Sequence, residues 1–124
     1  HDIGEIRSAD THYVSKQYVD RHEDKAIADT FKNVTIGEEF IKLWHEAEGR
    51  ETIESKIMKD ADTLDPDLEI MEKMYEGHKI SEIRKEDRLT NINAKLFTET
   101  AKKMQREIYE CNPHEWHLLA KEWK

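Results

Sequence analysis

Apolar residues in this chain recur every three or four positions and hardly anywhere every second one, the signature of helices buried along one face. The longest regular stretch is 91–111, NINAKLFTETAKKMQREIYEC, where Ile92, Leu96, Phe97, Met104 and Ile108 hold one face. In 51–65, ETIESKIMKDADTLD, a stripe of Ile53, Ile57, Ala61 and Leu64 is expected to face inward. In 35–50, TIGEEFIKLWHEAEGR, Phe40, Ile41, Trp44 and Ala47 share a face and Gly49 is a candidate stop. The segment 18–34 carries Tyr18, His22, Ala26, Ile27 and Phe31 at roughly helical spacing, and 67–77 carries Leu68, Met71, Met74 and Tyr75. Asp65-Pro66 fits either an N-cap with proline at the first helical position or a kink in a continuing helix. In 112–123, Asn112 is read as an N-cap, Pro113 as N1 and Glu115 as N3. Residues 1–7 read as the end of a helix, 8–17 as a loop, and 77–88 as one short helix. The expected fold class is all-α, with five or six helices and no strand.

Only 4 Gly and 2 Pro interrupt 124 residues, consistent with helices joined by short turns. That length fits one domain with a modest core, so 1–124 is read as a single domain. A net charge of −8 argues against binding a nucleic acid polymer or an anionic membrane surface, both of which call for basic surface. It leaves room for a small anionic substrate, because a bound cation can supply positive field locally. No run of ~18 apolar residues exists to span a membrane. Cys111 is the only cysteine, so neither an intrachain disulfide nor a cysteine-rich zinc site can form, and a cytoplasmic location is expected. Cys111 itself is read as a small buried hydrophobe. Trp44, Trp116 and Trp123 are read as core or interface anchors, which leaves a homodimer open.

Chemistry-bearing residues gather at two places. At the start stands HDIGEIRSAD, with His1, Asp2, Glu5 and Asp10. An imidazole beside a carboxylate suits a first-row divalent ion, although neighbours on a helix point about 100° apart and need further ligands from elsewhere. Glu5 lies three and four residues beyond Asp2 and His1, on their helical face, where a carboxylate can act as general acid or base. Alone, a His-Asp dipeptide means little and Glu5 is an ordinary surface glutamate. The second place is KDADTLD, 59–65. Asp62 sits beside the Ile57-Ala61-Leu64 stripe and should face partly inward, where a carboxylate needs a metal, an ion pair or hydrogen bonds. Asp60 should point to solvent, and Asp65 is a support or a cap. His12, His22, His114 and His117 are read as surface or cleft-lining residues, and no HExxH pattern is present.

Taken in order, HDIGEIRSAD, the LWHEAE helix and KDADTLD resemble an HD-domain metal-dependent phosphohydrolase, nearest the branch containing bacterial 5′-deoxynucleotidase. The resemblance covers roughly residues 1–76 and implies an HD-type helical bundle. It implies a divalent ion (Mn, Co, Fe, Zn or Mg) held by His1, Asp2, Asp62 and a histidine on a preceding helix, so the domain is expected to be N-terminally incomplete. Glu5 would handle protons near the nucleophile, Asp10 would position the nucleophile or substrate, and Lys16 is a candidate contact to phosphate. The implied activity is that of a phosphomonoesterase on a small phosphorylated substrate, a nucleoside monophosphate. The alternative is a catalytically silent HD scaffold that serves as a binding or regulatory module. One departure is Ala9, where that branch has glycine before the acid. Pro66 is a second.

Overall fold

The computed structural model describes residues 1–119. It is all-α, as the spacing predicts: the described residues form seven α-helices and no strand. Two are single turns, which accounts for the excess over five or six. The chain forms two compact units, 1–55 and 56–124.

In the first unit a 3-10 turn, Asp2–Gly4, leads into the short α1, Glu5–Ser8. A loop with one 3-10 turn, Ser15–Gln17, precedes α2, Glu23–Phe31, and α3, Gly37–Gly49. Glu23 and Asp24 open α2, and Glu38 and Glu39 open α3; in both, acidic side chains meet the positive end of the helix dipole. Ala26, Ile27 and Trp44 are its buried apolar side chains. Burying a side chain the size of Ile27 stabilises by about 1.5–3 kcal/mol. Phe31 and Phe40 stack with centroids 5.3 Å apart, which fixes the α2–α3 corner. The indole of Trp44 donates to the His1 carbonyl at 3.1 Å, so a core residue of α3 ties down the start of the chain. Residues 2–8 run as a 3-10 turn, Asp2–Gly4, straight into one α-helical turn, Glu5–Ser8.

Helix α3 ends where Gly49 predicts, but the left-handed residue is Arg50, at φ 53°. Thr52 then caps α4, Ile53–Tyr75: its Oγ1 accepts from the Ser55 amide at 3.2 Å. Pro66 lies inside α4, so the helix continues through it. Proline has no N–H to return to the carbonyl four residues earlier, that of Asp62. The next carbonyl, Thr63, receives the Arg88 guanidinium. Gly77, at φ 86°, closes α4: its amide bonds to the Met74 carbonyl at 3.0 Å and the His78 amide to the Lys73 carbonyl at 3.0 Å.

The second unit continues with α5, Lys79–Asp87, a π-helical turn, Arg88–Ile92, a 3-10 turn, Asn93–Lys95, and then α6, Glu99–Glu110, and α7, Glu115–Leu118. The longest helix is thus α4, and the apolar pattern of 91–111 divides at Leu96–Thr98 because Thr98 starts α6. Its Oγ1 accepts from the Ala101 amide at 3.1 Å. Helix α7 starts two residues later than expected: its N-cap is His114 and not Asn112, and Glu115 is its first residue and not its third, while Asn112 accepts from the His114 amide at 2.9 Å in a turn ahead of the helix. The core packs Leu64 with Leu96, Ala101 and Ile108, and Ile70 and Met71 with Tyr109, Met74 and Leu89.

The face of α4 that is buried differs from the one its apolar stripe predicts. Ile53 and Ile57 are more than half exposed and Ala61 is exposed. Of the expected stripe only Leu64 is buried; it is joined on α4 by Asp60, Asp67 and Met71, again at helical spacing, and by Ser55 and Ile70. Asp60, expected in solvent, is buried: it accepts the Phe97 amide at 2.7 Å, the Thr98 amide at 2.9 Å and the Thr98 hydroxyl at 2.7 Å. Asp67 is fully buried and binds Arg88, Gln105 and Tyr109. Cys111, expected to be buried, is exposed; it follows α6, and its Sγ donates to the Ile108 carbonyl at 3.1 Å. Trp44 is a core anchor, Trp116 is exposed, and Trp123 lies outside the described residues.

Candidate active site

The 3-10 turn and α1 carry the first group of candidates. His1 Nε2 and Asp2 Oδ1 lie 2.9 Å apart, close enough to be neighbouring donors to one ion. Glu5, on the first turn of α1, is mostly buried. Its Oε1 accepts from Arg21 Nη1 at 2.9 Å and lies 4.0 Å from Lys16 Nζ. Lys16 sits in the 3-10 turn Ser15–Gln17, so that loop brings a basic side chain to the edge of Glu5.

Arg21, just before α2, joins this group although nothing in its sequence context marks it. Its Nη1 also donates to the Ala9 carbonyl at 3.3 Å, and its Nη2 pairs with Glu23 at 2.6 Å. The Glu5 hydrogen bond and the nearby charges of Glu23, Glu5 and Asp10 outweigh desolvation and raise the Arg21 pKa above its ordinary value. Its proton is therefore secure at any working pH.

Ala9 ends α1 at φ 66°, ψ 145°, a conformation that favours glycine. The backbone turns sharply here, between the Glu5 helix and Asp10. Asp10 follows directly, exposed in the loop. A cleft of about 440 Å³ beside this group is lined by Arg7, Thr11, Arg21, His22 and Lys25, among others. His12 and His22 are exposed, and of the two only His22 lines the cleft.

Asp62 belongs to the second unit. It is partly exposed on α4 and pairs with Lys59 Nζ, one turn back, at 2.6 Å. A divalent ion calls for three or more donors. Among the described residues no three His, Cys, Asp or Glu side chains form a group able to hold one. His1 and Asp2 have the right chemistry and spacing for two donors, and two donors do not make a complete ion site.

The HD-domain family model matches residues 1–110. The chain is an HD-domain protein. The match spans nearly all of it and runs through both units. HD domains as a family are metal-dependent phosphohydrolases, and the helical architecture is that of the family. No curated protein and no solved structure matches the chain. No helix among the described residues is long and apolar enough to cross a membrane.

Proposed function

We propose that this HD domain is a phosphomonoesterase acting on nucleoside monophosphates. The observation that carries the reading is the His1-Asp2 pair at 2.9 Å, with a Glu5 held by Arg21 one turn further on, in a chain of the HD-domain family. The cofactor of this reading is a divalent ion: His1 and Asp2 would contribute two donors, Asp62 is carried over from the family resemblance as a third, and such an ion would supply positive charge at the phosphoryl oxygens. The remaining roles fall to side chains of the first unit. Glu5, a carboxylate between Arg21 and Lys16, accepts the proton of the attacking water and returns it to the leaving alkoxide. Asp10, on the loop after α1, orients that water or the sugar. Lys16, with its ammonium near Glu5, contacts the phosphate as a mobile point charge. A homodimer in the cytoplasm is the setting proposed for this activity.

Phosphate release from a panel of nucleoside monophosphates, with Mn, Co, Mg or chelator, tests the reading. Metal-dependent release from at least one of them, lost in Asp2→Asn and Asp62→Asn, is the expected result. No release from any phosphate ester with any metal would leave a silent HD scaffold instead.

A further inference from the structure

Arg21 makes polar contacts with three separate residues of the first unit. It sits two residues before α2, with its guanidinium wedged between α1, the loop after α1 and the first turn of α2. Nη1 reaches Glu5 Oε1 at 2.9 Å and the Ala9 carbonyl at 3.3 Å, while Nη2 reaches Glu23 Oε1 at 2.6 Å. Each contact does something different. The Glu5 contact fixes the rotamer of the carboxylate proposed to move the proton. The Ala9 contact holds the peptide next to Asp10, at a corner whose φ of 66° an alanine adopts only under strain. The Glu23 contact anchors the guanidinium itself to α2. A planar guanidinium reaches these oxygens from two nitrogens held in fixed geometry; an ammonium on a flexible stem would have to serve all three from one.

We infer that Arg21 is a positioning residue for hydrolysis, fixing Glu5 and the Ala9–Asp10 corner in one geometry. This role rests on the phosphohydrolase reading above. Arg21 acts through Glu5 and Ala9: Nη1 hydrogen-bonds both, and Nη2 is ion-paired with Glu23. Its side chain is 20% exposed, so the ion pair with Glu5 is shielded from water more than an ordinary surface pair. Displacing a catalytic carboxylate by about 1 Å costs on the order of 100-fold in rate with little change in ground-state binding.

The test compares steady-state kinetics of the full chain and its Arg21→Met, Glu5→Gln and doubly substituted forms on whichever nucleoside monophosphate the wild type hydrolyses. Arg21→Met is expected to lower kcat by about 10- to 100-fold with KM within threefold. In the Glu5→Gln background it should cost nothing further, because the carboxylate it positions is gone. A merely structural salt bridge would lower stability and leave kcat per folded molecule unchanged. Arg21→Lys covers the case in which Arg21→Met does not fold. It keeps the charge, has one nitrogen and no rigid plane with which to hold Glu5 and the Ala9 carbonyl together, and should retain no more than a tenth of the wild-type kcat. Wild-type kcat in Arg21→Met or Arg21→Lys, while Glu5→Gln is inactive, would overturn this role alone. Full activity in Glu5→Gln, or none in the wild type, would overturn the reading on which it rests.

Discussion

The hydroxyl of Tyr109, on α6, donates to Oδ1 of Asp67, on α4, across 2.6 Å, and both side chains are buried. Arg88 and Gln105 complete the coordination of that carboxylate; Gln105 Nε2 lies 2.8 Å from Oδ2 and Arg88 Nη2 lies 3.0 Å from it. A buried charge is tolerated only when it is paired and hydrogen-bonded, and this one is satisfied from two further elements of the second unit. Burial works against the Arg88 charge, but the hydrogen bond and charge of Asp67 outweigh it and raise the guanidinium pKa. Asp67→Ala strands that guanidinium and is expected to cost about 3–5 kcal/mol. Tyr109→Phe removes one hydrogen bond to a charged acceptor and should cost about 1.5–3 kcal/mol. Urea unfolding followed by far-ultraviolet circular dichroism reads both. A loss under 0.5 kcal/mol for Asp67→Ala would show that the network does not hold the unit together.

The same contact sets an alkaline limit. Burial, and then the hydrogen bond and charge of Asp67, push the Tyr109 phenol well above its ordinary pKa. The folded-state value is raised, so the stabilisation is fully present below the unfolded value near 10 and is lost as pH rises above it toward the folded value. The slope for one such group is about 1.4 kcal/mol per pH unit. The urea midpoint should therefore fall more steeply above pH 10 in the wild type than in Tyr109→Phe. Parallel midpoints from pH 9 to 11.5 would contradict the assignment.

Two aspartates two residues apart on α4 are expected to respond differently. Asp60 accepts three hydrogen bonds that fix the start of α6, so Asp60→Asn should cost about 1–3 kcal/mol through an amide that cannot accept all three. Its effect on activity should follow the folded fraction. Asp62 makes a partly exposed pair with Lys59, worth about 0.3–0.5 kcal/mol. Asp62→Ala should abolish metal-dependent phosphate release per folded molecule, whatever it does to the unfolding midpoint. The comparison requires both stability and turnover on each variant. Activity retained in Asp62→Ala would remove this residue from the proposed ion site.

The pair also shows how far the sequence could be read. Helical spacing identifies α3, α4 and α6 and the all-α class, because apolar residues three and four apart have few other uses. It misjudges which face of α4 is inside. Ile53, Ile57 and Ala61 form the cleaner stripe, yet Asp60 and Asp67 are buried, since their partners come from 88 to 109 and no local pattern announces them. The break in 91–111 has the same origin: the Thr98 cap competes with a continuous apolar periodicity and is secured by Asp60. At the candidate site, the spacing of His1, Asp2 and Glu5 and the order of the later elements were visible in the chain. Arg21 was not, because its meaning lies in a contact with Glu5, 16 positions away. The cost of an alanine at position 9 is not visible in the chain; only its φ of 66° shows it.

That cost can be measured directly. Ala9 adopts φ 66°, ψ 145°, where a Cβ is poorly tolerated, and strain of this kind is on the order of 1–3 kcal/mol. Glycine removes the strain but gains conformational freedom in the unfolded chain, which returns about 0.4–1 kcal/mol. Ala9→Gly should therefore raise stability by a net amount of about 0.5–2 kcal/mol, measured as an increase in the urea midpoint. The Arg21 contact is to the backbone carbonyl of residue 9, which glycine keeps, so the clamp on the Asp10 corner should survive the change. Ala9→Val makes the opposite test: a β-branched residue at this φ should destabilise by more than 1 kcal/mol. A glycine variant less stable than wild type would mean that the corner is not strained in solution.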